Sequence, residues 1–313
     1  MSDSEYTAVV FAYHDVGVRC LSVMLAHGVN IPLVVTHKDN PSENIWFESV
    51  EKLARAYDIE VATPDDPNAP AFVEKLQGIS PDFIFSFYYR FMLKPALLAT
   101  AMRGAYNMHG SLLPKYRGRV PVNWAVLRGE EVTGATLHEM VEKPDAGRIV
   151  DQFPVPILGD DRAIDVFRKV TTAAELLLDR SLAAVLDGMA QPIEQDLSQG
   201  GYFRGRTSDD GRIDWSKGAH EIHNLVRAVA PPYPGAFMML GGQKLRLLRT
   251  RVIREAGPRR PPQLRFDGRH LVAECADGGV LRVLECDVDG TPLPIEQFAQ
   301  HFGGEPVALG DME

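Results

Sequence analysis

Cysteine is scarce in this chain. Cys20, Cys275 and Cys286 are the only three in 313 residues, and no two have C-x-x-C spacing. That argues against a disulfide framework and a cysteine zinc site, and it fits reduced thiols in a cytoplasm. Long apolar runs are missing as well; none reaches the ~20 residues needed to span a bilayer. The opening Met1-Ser2-Asp3-Ser4-Glu5 lacks the basic start of a secretory leader. The expectation is a soluble cytoplasmic protein without membrane insertion. Positive charge is in deficit, with a net charge of -9, so bulk electrostatics would not hold a nucleic acid.

Several chemical signatures are missing too. The first strand-to-helix turn, Tyr13-His14-Asp15-Val16-Gly17, lacks the glycine spacing that lets a pyrophosphate approach a helix N-terminus. An NAD site on that turn is therefore not expected. No phosphate-cradling Gly-Lys-Ser/Thr is present. Nor is there a His-Glu-x-x-His, and the nine histidines are scattered, so no metal is expected. No Gly-x-Ser-x-Gly elbow surrounds Ser111, whose hydroxyl reads as structural.

What is present is ordinary globular chain, 45% apolar and 24% charged. Buried parallel strands are predicted at 7–13, 31–36 and 82–87, with shorter strands at 59–62 and 104–108. Helices are predicted between them at 16–27, 45–57, 70–77 and near 95–102. This alternation predicts a doubly wound, Rossmann-like α/β sheet. Two strands follow at 133–140 and 148–155, then a long amphipathic helix at 163–186. Gly, Gln, Asp and Ser crowd 187–212, which places a boundary there. We expect a catalytic domain over 1–195, a linker at 196–205 and a second domain over 206–313. The last has a short helix at 219–229 and short strands split by Gly/Pro turns, at 236–240, 244–252, 270–275 and 280–287. They predict a small OB-like β-barrel.

The chemistry concentrates in 104–124. A strand runs out into a Gly/Pro-rich loop at Asn107, and Asn107 and His109 lie two apart, on one face of an extended strand end. Asn107 is a neutral hydrogen-bond donor, and His109 can move a proton near neutral pH. Gly110, Pro114, Gly118 and Pro121 shape a loop that could wrap a ligand. Asp145, in Lys143-Pro144-Asp145-Ala146-Gly147, adds a carboxylate downstream. An amide, an imidazole and a carboxylate are the parts needed for acyl transfer.

Asn107-Met108-His109-Gly110-Ser111-Leu112-Leu113-Pro114-Lys115-Tyr116-Arg117-Gly118, with Asp145-Ala146-Gly147 later, resembles the folate-dependent formyltransferases. The resemblance covers nearly the whole chain. Within that family it resembles the formyltransferase portion of the bifunctional polymyxin-resistance enzymes, through Val10 to Asp15, Thr36 to Pro41, Ile84 to Arg90, Tyr116 to Trp124, His223 to Ala230 and Pro234 to Phe237. It implies formyl transfer from 10-formyltetrahydrofolate to the 4-amine of UDP-4-amino-4-deoxy-L-arabinose, in lipid A modification. It implies Asn107 as the oxyanion donor, His109 as the proton carrier and Asp145 as the group that holds the ring. It also implies a folate pocket from Phe91, Met92, Leu93, Arg119, Val141, Glu142, Lys143, Pro144 and Asp145. The fused NAD-dependent decarboxylase of those enzymes has no counterpart in the 313 residues, so a separate decarboxylase is a candidate partner. Other acceptors stay open: another amino-sugar nucleotide, methionyl-tRNA or water. So does a non-catalytic folate-binding module. Against the tRNA, the early loop from Thr36 to Glu43 is short and mixed in charge, and the chain is acidic.

Overall fold

The computed structural model describes residues 6–41 and 43–310. Two compact units emerge. The first takes the described residues up to Pro121, with Val132–Pro156 and Phe167–Arg204. The second takes Val122–Glu131, Ile157–Val166 and the described residues from Gly205 onward.

The first unit is built on strands β1 (Thr7–Ala12), β2 (Asn30–Val35), β3 (Glu60–Ala62), β4 (Phe83–Phe87) and β5 (Gly104–His109). They alternate with helices α1 (His14–Ala26), α2 (Val50–Ala56), α3 (Pro70–Ile79) and α4 (Pro95–Leu98). Two residues, Arg117–Gly118, form β6, and helix α5 (Pro121–Leu127) follows. Strands β7 (Val132–Glu139) and β8 (Ile149–Pro156) then precede the 24-residue helix α6 (Ala163–Leu186) and the short strand β9 (Tyr202–Phe203). The sheet order is β3-β2-β1-β4-β5-β7-β8. Pairing is parallel from β3 to β5, and β7 and β8 close the edge antiparallel. This is the expected Rossmann-like sheet. β4 is buried along its whole length, as its unbroken apolar run requires.

The helix expected at 45–57 begins only at Val50. The Ser49 side chain accepts from the Lys52 amide and caps it. Upstream, Trp46 and Phe47 fold onto His14 instead, at ring separations of 4.6 and 3.9 Å. The helix expected near 95–102 stops at Leu98. Beyond it the amides of Met102 and Arg103 bond to Pro81 and Asp82 and lead the chain into β5. Segment 196–205, expected as a linker, contains β9, which pairs with β6.

The second unit has helix α7 (Ala219–Val229), strands β10 (Ala236–Leu240), β11 (Gln243–Arg254), β12 (Gln263–Phe266), β13 (Leu271–Glu274), β14 (Val280–Val288) and β15 (Thr291–Leu293), helix α8 (Phe298–Phe302) and strand β16 (Val307–Ala308). Its antiparallel sheet runs β10-β11-β14-β13-β12-β16, with β15 on β14, and forms a half-barrel. Register shifts along β11 bend it against β14.

Candidate active site

The site grows from the carboxyl end of β5. Asn107 and His109 alternate with Met108, whose side chain is wholly buried on the opposite face. Antiparallel pairing with β7 sets Asn107 opposite His138. On one face of such a pair, opposite side chains touch. Asn107 Nδ2 lies 3.0 Å from His138 Nε2. His138 Nδ1 lies 2.8 Å from the Glu139 carbonyl, which can only accept. His138 therefore carries its proton on Nδ1, and its Nε2 accepts from the Asn107 amide. This fixes the orientation of the amide, with its nitrogen toward His138. Burial pushes His138 well below the ordinary imidazole pKa, against the opposing pull of Asp145. A neutral His138 keeps Nε2 an acceptor.

His109 is buried. Its Nε2 donates to the Tyr116 carbonyl at 2.8 Å. The loop that brings Tyr116 back is pinned at several points. Ser111 Oγ donates to the Lys115 carbonyl at 2.6 Å, the structural role expected of that hydroxyl. Thr136 Oγ1 accepts from the Leu113 amide and from Gln152 Nε2, and donates to the Ser111 carbonyl. With Nε2 committed, Nδ1 is the nitrogen of His109 left to face a reacting atom.

Asp145 follows β7 in left-handed backbone, φ 52°. Its Oδ2 accepts the Gly118 amide at 2.8 Å. Its Oδ1 stands 3.7 Å from His109 Nδ1 and 3.6 Å from His138 Nε2. Both separations exceed a direct hydrogen bond, so the contacts are electrostatic. The structure thus brings Asn107, His109 and Asp145 together and adds His138. A carboxylate stands beside the His109 ring, and Asn107 offers an N–H that can meet developing negative charge. The set can move a proton and stabilise an oxyanion.

Residues 20–182 match the formyl transferase family, and residues 206–303 match the formyl transferase C-terminal domain. The chain belongs to the formyl transferase family. Two solved structures share its fold over most of both chains. One is an N-formyltransferase from Helicobacter canadensis in complex with folinic acid and dTDP-3-aminofucose, with TM-score 0.72, 20% identity, and 89% of this chain and 98% of that one covered. The other is WlaRD, a sugar 3N-formyl transferase with dTDP and 5-N-formyl-THF, with TM-score 0.71, 20% identity, and 91% and 98% covered. HypX from Aquifex aeolicus, in complex with tetrahydrofolic acid, matches at TM-score 0.62 and 18% identity over 96% of this chain and 48% of its own.

Around this cluster, Phe91 and Met92 are exposed after β4, and Val141, Glu142 and Lys143 are exposed after β7. Leu93 is different. Its side chain is buried in the core with Val9, Phe11 and Leu97, so only its backbone could meet a ligand. Met140 packs on that same core, so both loops leave from one cluster. Asn68, missed by sequence reasoning, braces the first loop. Its amide donates to the Met92 carbonyl and accepts from the Lys94 amide. Arg119 is exposed, and its amide donates to Phe203. Among the described residues no group of three or more His, Cys, Asp or Glu is placed to hold a metal. None of the described helices is long and apolar enough to cross a membrane.

Proposed function

We propose that this formyl transferase moves a formyl group from 10-formyltetrahydrofolate to the 4-amine of UDP-4-amino-4-deoxy-L-arabinose. The observation that carries the reading is the convergence of Asn107, His109 and Asp145 within one half-buried centre. The donor would lie along two loops that leave one core cluster. The exposed faces of Phe91, Met92 and Val141 suit a flat apolar ring, while Glu142 and Lys143 supply polar contacts. Arg119 would reach the donor from the loop after β6.

The acceptor amine attacks the formyl carbon and a C–N bond forms. The Asn107 amide meets the oxyanion; one such donor is typically worth ~3 kcal/mol of barrier. His109 takes the proton from the attacking nitrogen and returns it to the leaving nitrogen as the old C–N bond breaks. Asp145 stabilises the imidazolium between those events. No bond to the protein forms, so Ser111 needs no nucleophilic role. The oxyanion and the protonated ring exist only between ground states, so these contacts lower the barrier rather than tighten binding.

The acceptor is suggested by the resemblance over most of the chain, and the net charge of -9 argues against methionyl-tRNA. The solved neighbour holding dTDP-3-aminofucose favours an amino-sugar nucleotide as a class. In this reading the enzyme works in the cytoplasm, where the buried thiols of Cys20, Cys275 and Cys286 stay reduced. Its product feeds lipid A modification and polymyxin resistance, and a separate decarboxylase supplies the sugar. Mass analysis after incubation with 10-formyltetrahydrofolate and either UDP-4-amino-4-deoxy-L-arabinose or methionyl-tRNA tests this. Formylation of the sugar nucleotide alone is expected; formylation of the tRNA alone would overturn it.

A further inference from the structure

We propose that segment 193–203 is a clasp on the reacting centre, with Gln195 as the positioning residue for the Asp145 carboxylate. This rests on the formyl-transfer reading above. Composition marks the segment as a junction, yet its hydrogen bonds run to the two loops that meet at Asp145.

The clasp begins at Ile193, which forms an antiparallel bridge with Ile149 at 2.7 and 2.8 Å. Gln195 Nε2 then donates to two carbonyls that flank Ala146: Asp145 O at 3.0 Å and Gly147 O at 2.6 Å. The other half of that amide, Oε1, is buried and has no hydrogen-bond partner among the described residues. Gln195 is thus held for its two N–H groups alone. Further on, Arg117 Nη2 donates to the Leu197 carbonyl at 3.0 Å. The Arg117 amide donates to Gly201 and the Arg119 amide to Phe203. Between those two arginines lies Gly118, whose amide holds Asp145 Oδ2. One segment therefore grips both the loop that carries the carboxylate and the loop that carries its donor. It also reaches the loop that holds His109, since the Phe203 and Tyr116 rings lie 4.9 Å apart and the Tyr116 carbonyl accepts from His109.

The backbone shows why a clasp is needed. Asp145 sits at φ 52°, in the left-handed region that non-glycine residues adopt uncommonly. Such a residue persists only where its surroundings over-determine it. Without the Gln195 donors the loop can relax to negative φ, and the carboxylate leaves the two imidazoles. The fit depends on close approach. A Cβ at Gly118 would collide with Phe203 O, and one at Gly200 with Pro114 O.

Gln195→Leu keeps the shape and removes both donors. Gln195→Glu sets a carboxylate against two carbonyls and is expected to do worse. Turnover should fall roughly 10–100-fold for Gln195→Leu, since small misplacements of a reacting group cost that much. The acceptor KM should stay unchanged, because the loss falls on the transition state. Independently of activity, amide hydrogen exchange at Gly118 and over 145–147 should quicken roughly tenfold, while β4 amides stay protected. Unaltered exchange in both variants overturns the clasp whatever the enzyme turns over. Faster exchange with wild-type turnover overturns Gln195 as a positioning residue. If the wild type formylates no amine, the functional reading fails, and exchange still decides the clasp.

Discussion

The Asn107 amide nitrogen lies 3.0 Å from Nε2 of His138, and that contact decides which way the amide points. Were His138 protonated, Nε2 would become a donor and Asn107 would have to turn its oxygen inward. Burial keeps the ring neutral, so the N–H stays available for an oxyanion. His138→Ala should lower kcat by roughly 10–100-fold, close to the loss of one oxyanion donor. His138→Gln, whose Oε1 can still accept from Asn107, should recover part of it. Steady-state kinetics on the two variants checks this; equal activity for Ala and Gln would show that acceptance at this position does not matter.

The catalytic set should be separable from the fold. His109→Ala and Asp145→Ala are each expected to remove nearly all turnover, by roughly 10²–10⁴-fold for a lost proton carrier. Far-UV circular dichroism should match the wild type. Near-normal activity in either variant contradicts the assignment.

Gly118 is the point where backbone freedom and chemistry meet. It sits at φ 99° with no room for a Cβ against Phe203 O, and its amide holds Asp145. Gly118→Ala should therefore cost about 1–3 kcal/mol of stability and impair turnover together, read by urea denaturation and rate. A variant with altered stability and intact rate would separate the ribbon from the carboxylate.

Acidification should destabilise the first unit through its buried histidines. Burial and nearby Arg90 push His14 down to about 3 and His37 to about 4, and burial also lowers His138. Below the unfolded value near 6.5, the unfolded chain binds protons that these native rings refuse. Stability then falls as pH falls, until each folded pKa is reached. The window is pH 6.5 down to about 4 for His37 and His138 and down to about 3 for His14, with a slope of up to ~1.4 kcal/mol per pH unit for each such ring. Denaturation midpoints at pH 7, 6, 5 and 4 measure it. His14→Phe should flatten the slope, because its ring stacks on Phe47 without needing a proton-free nitrogen. A slope that His14→Phe leaves untouched contradicts this cause.

Much of this was legible in the chain, for identifiable reasons. Helices α6 and α7 and strand β10 fall at their expected residues because continuous periodicity and Gly/Pro punctuation bound them. Asn107, His109 and Asp145 were marked by residue type and motif. His138 was not, since its role comes from the β5–β7 register, and register is a relation between distant segments. Strands β6 and β9 are two residues each, too short for any period. Segment 193–203 reads as polar junction because its grip is made largely by backbone groups and one amide. Leu93 shows the converse: its motif position suits a pocket, while its side chain belongs to the core.

The most direct test of the account follows the formyl carbon itself. The enzyme is mixed with 10-formyltetrahydrofolate labelled at that carbon and with UDP-4-amino-4-deoxy-L-arabinose, and products are resolved by mass over a single turnover. The account predicts label in the new amide, one tetrahydrofolate released per amide formed, no label on the protein, and none of this with His109→Ala. Label recovered as formate with the amine untouched would contradict it.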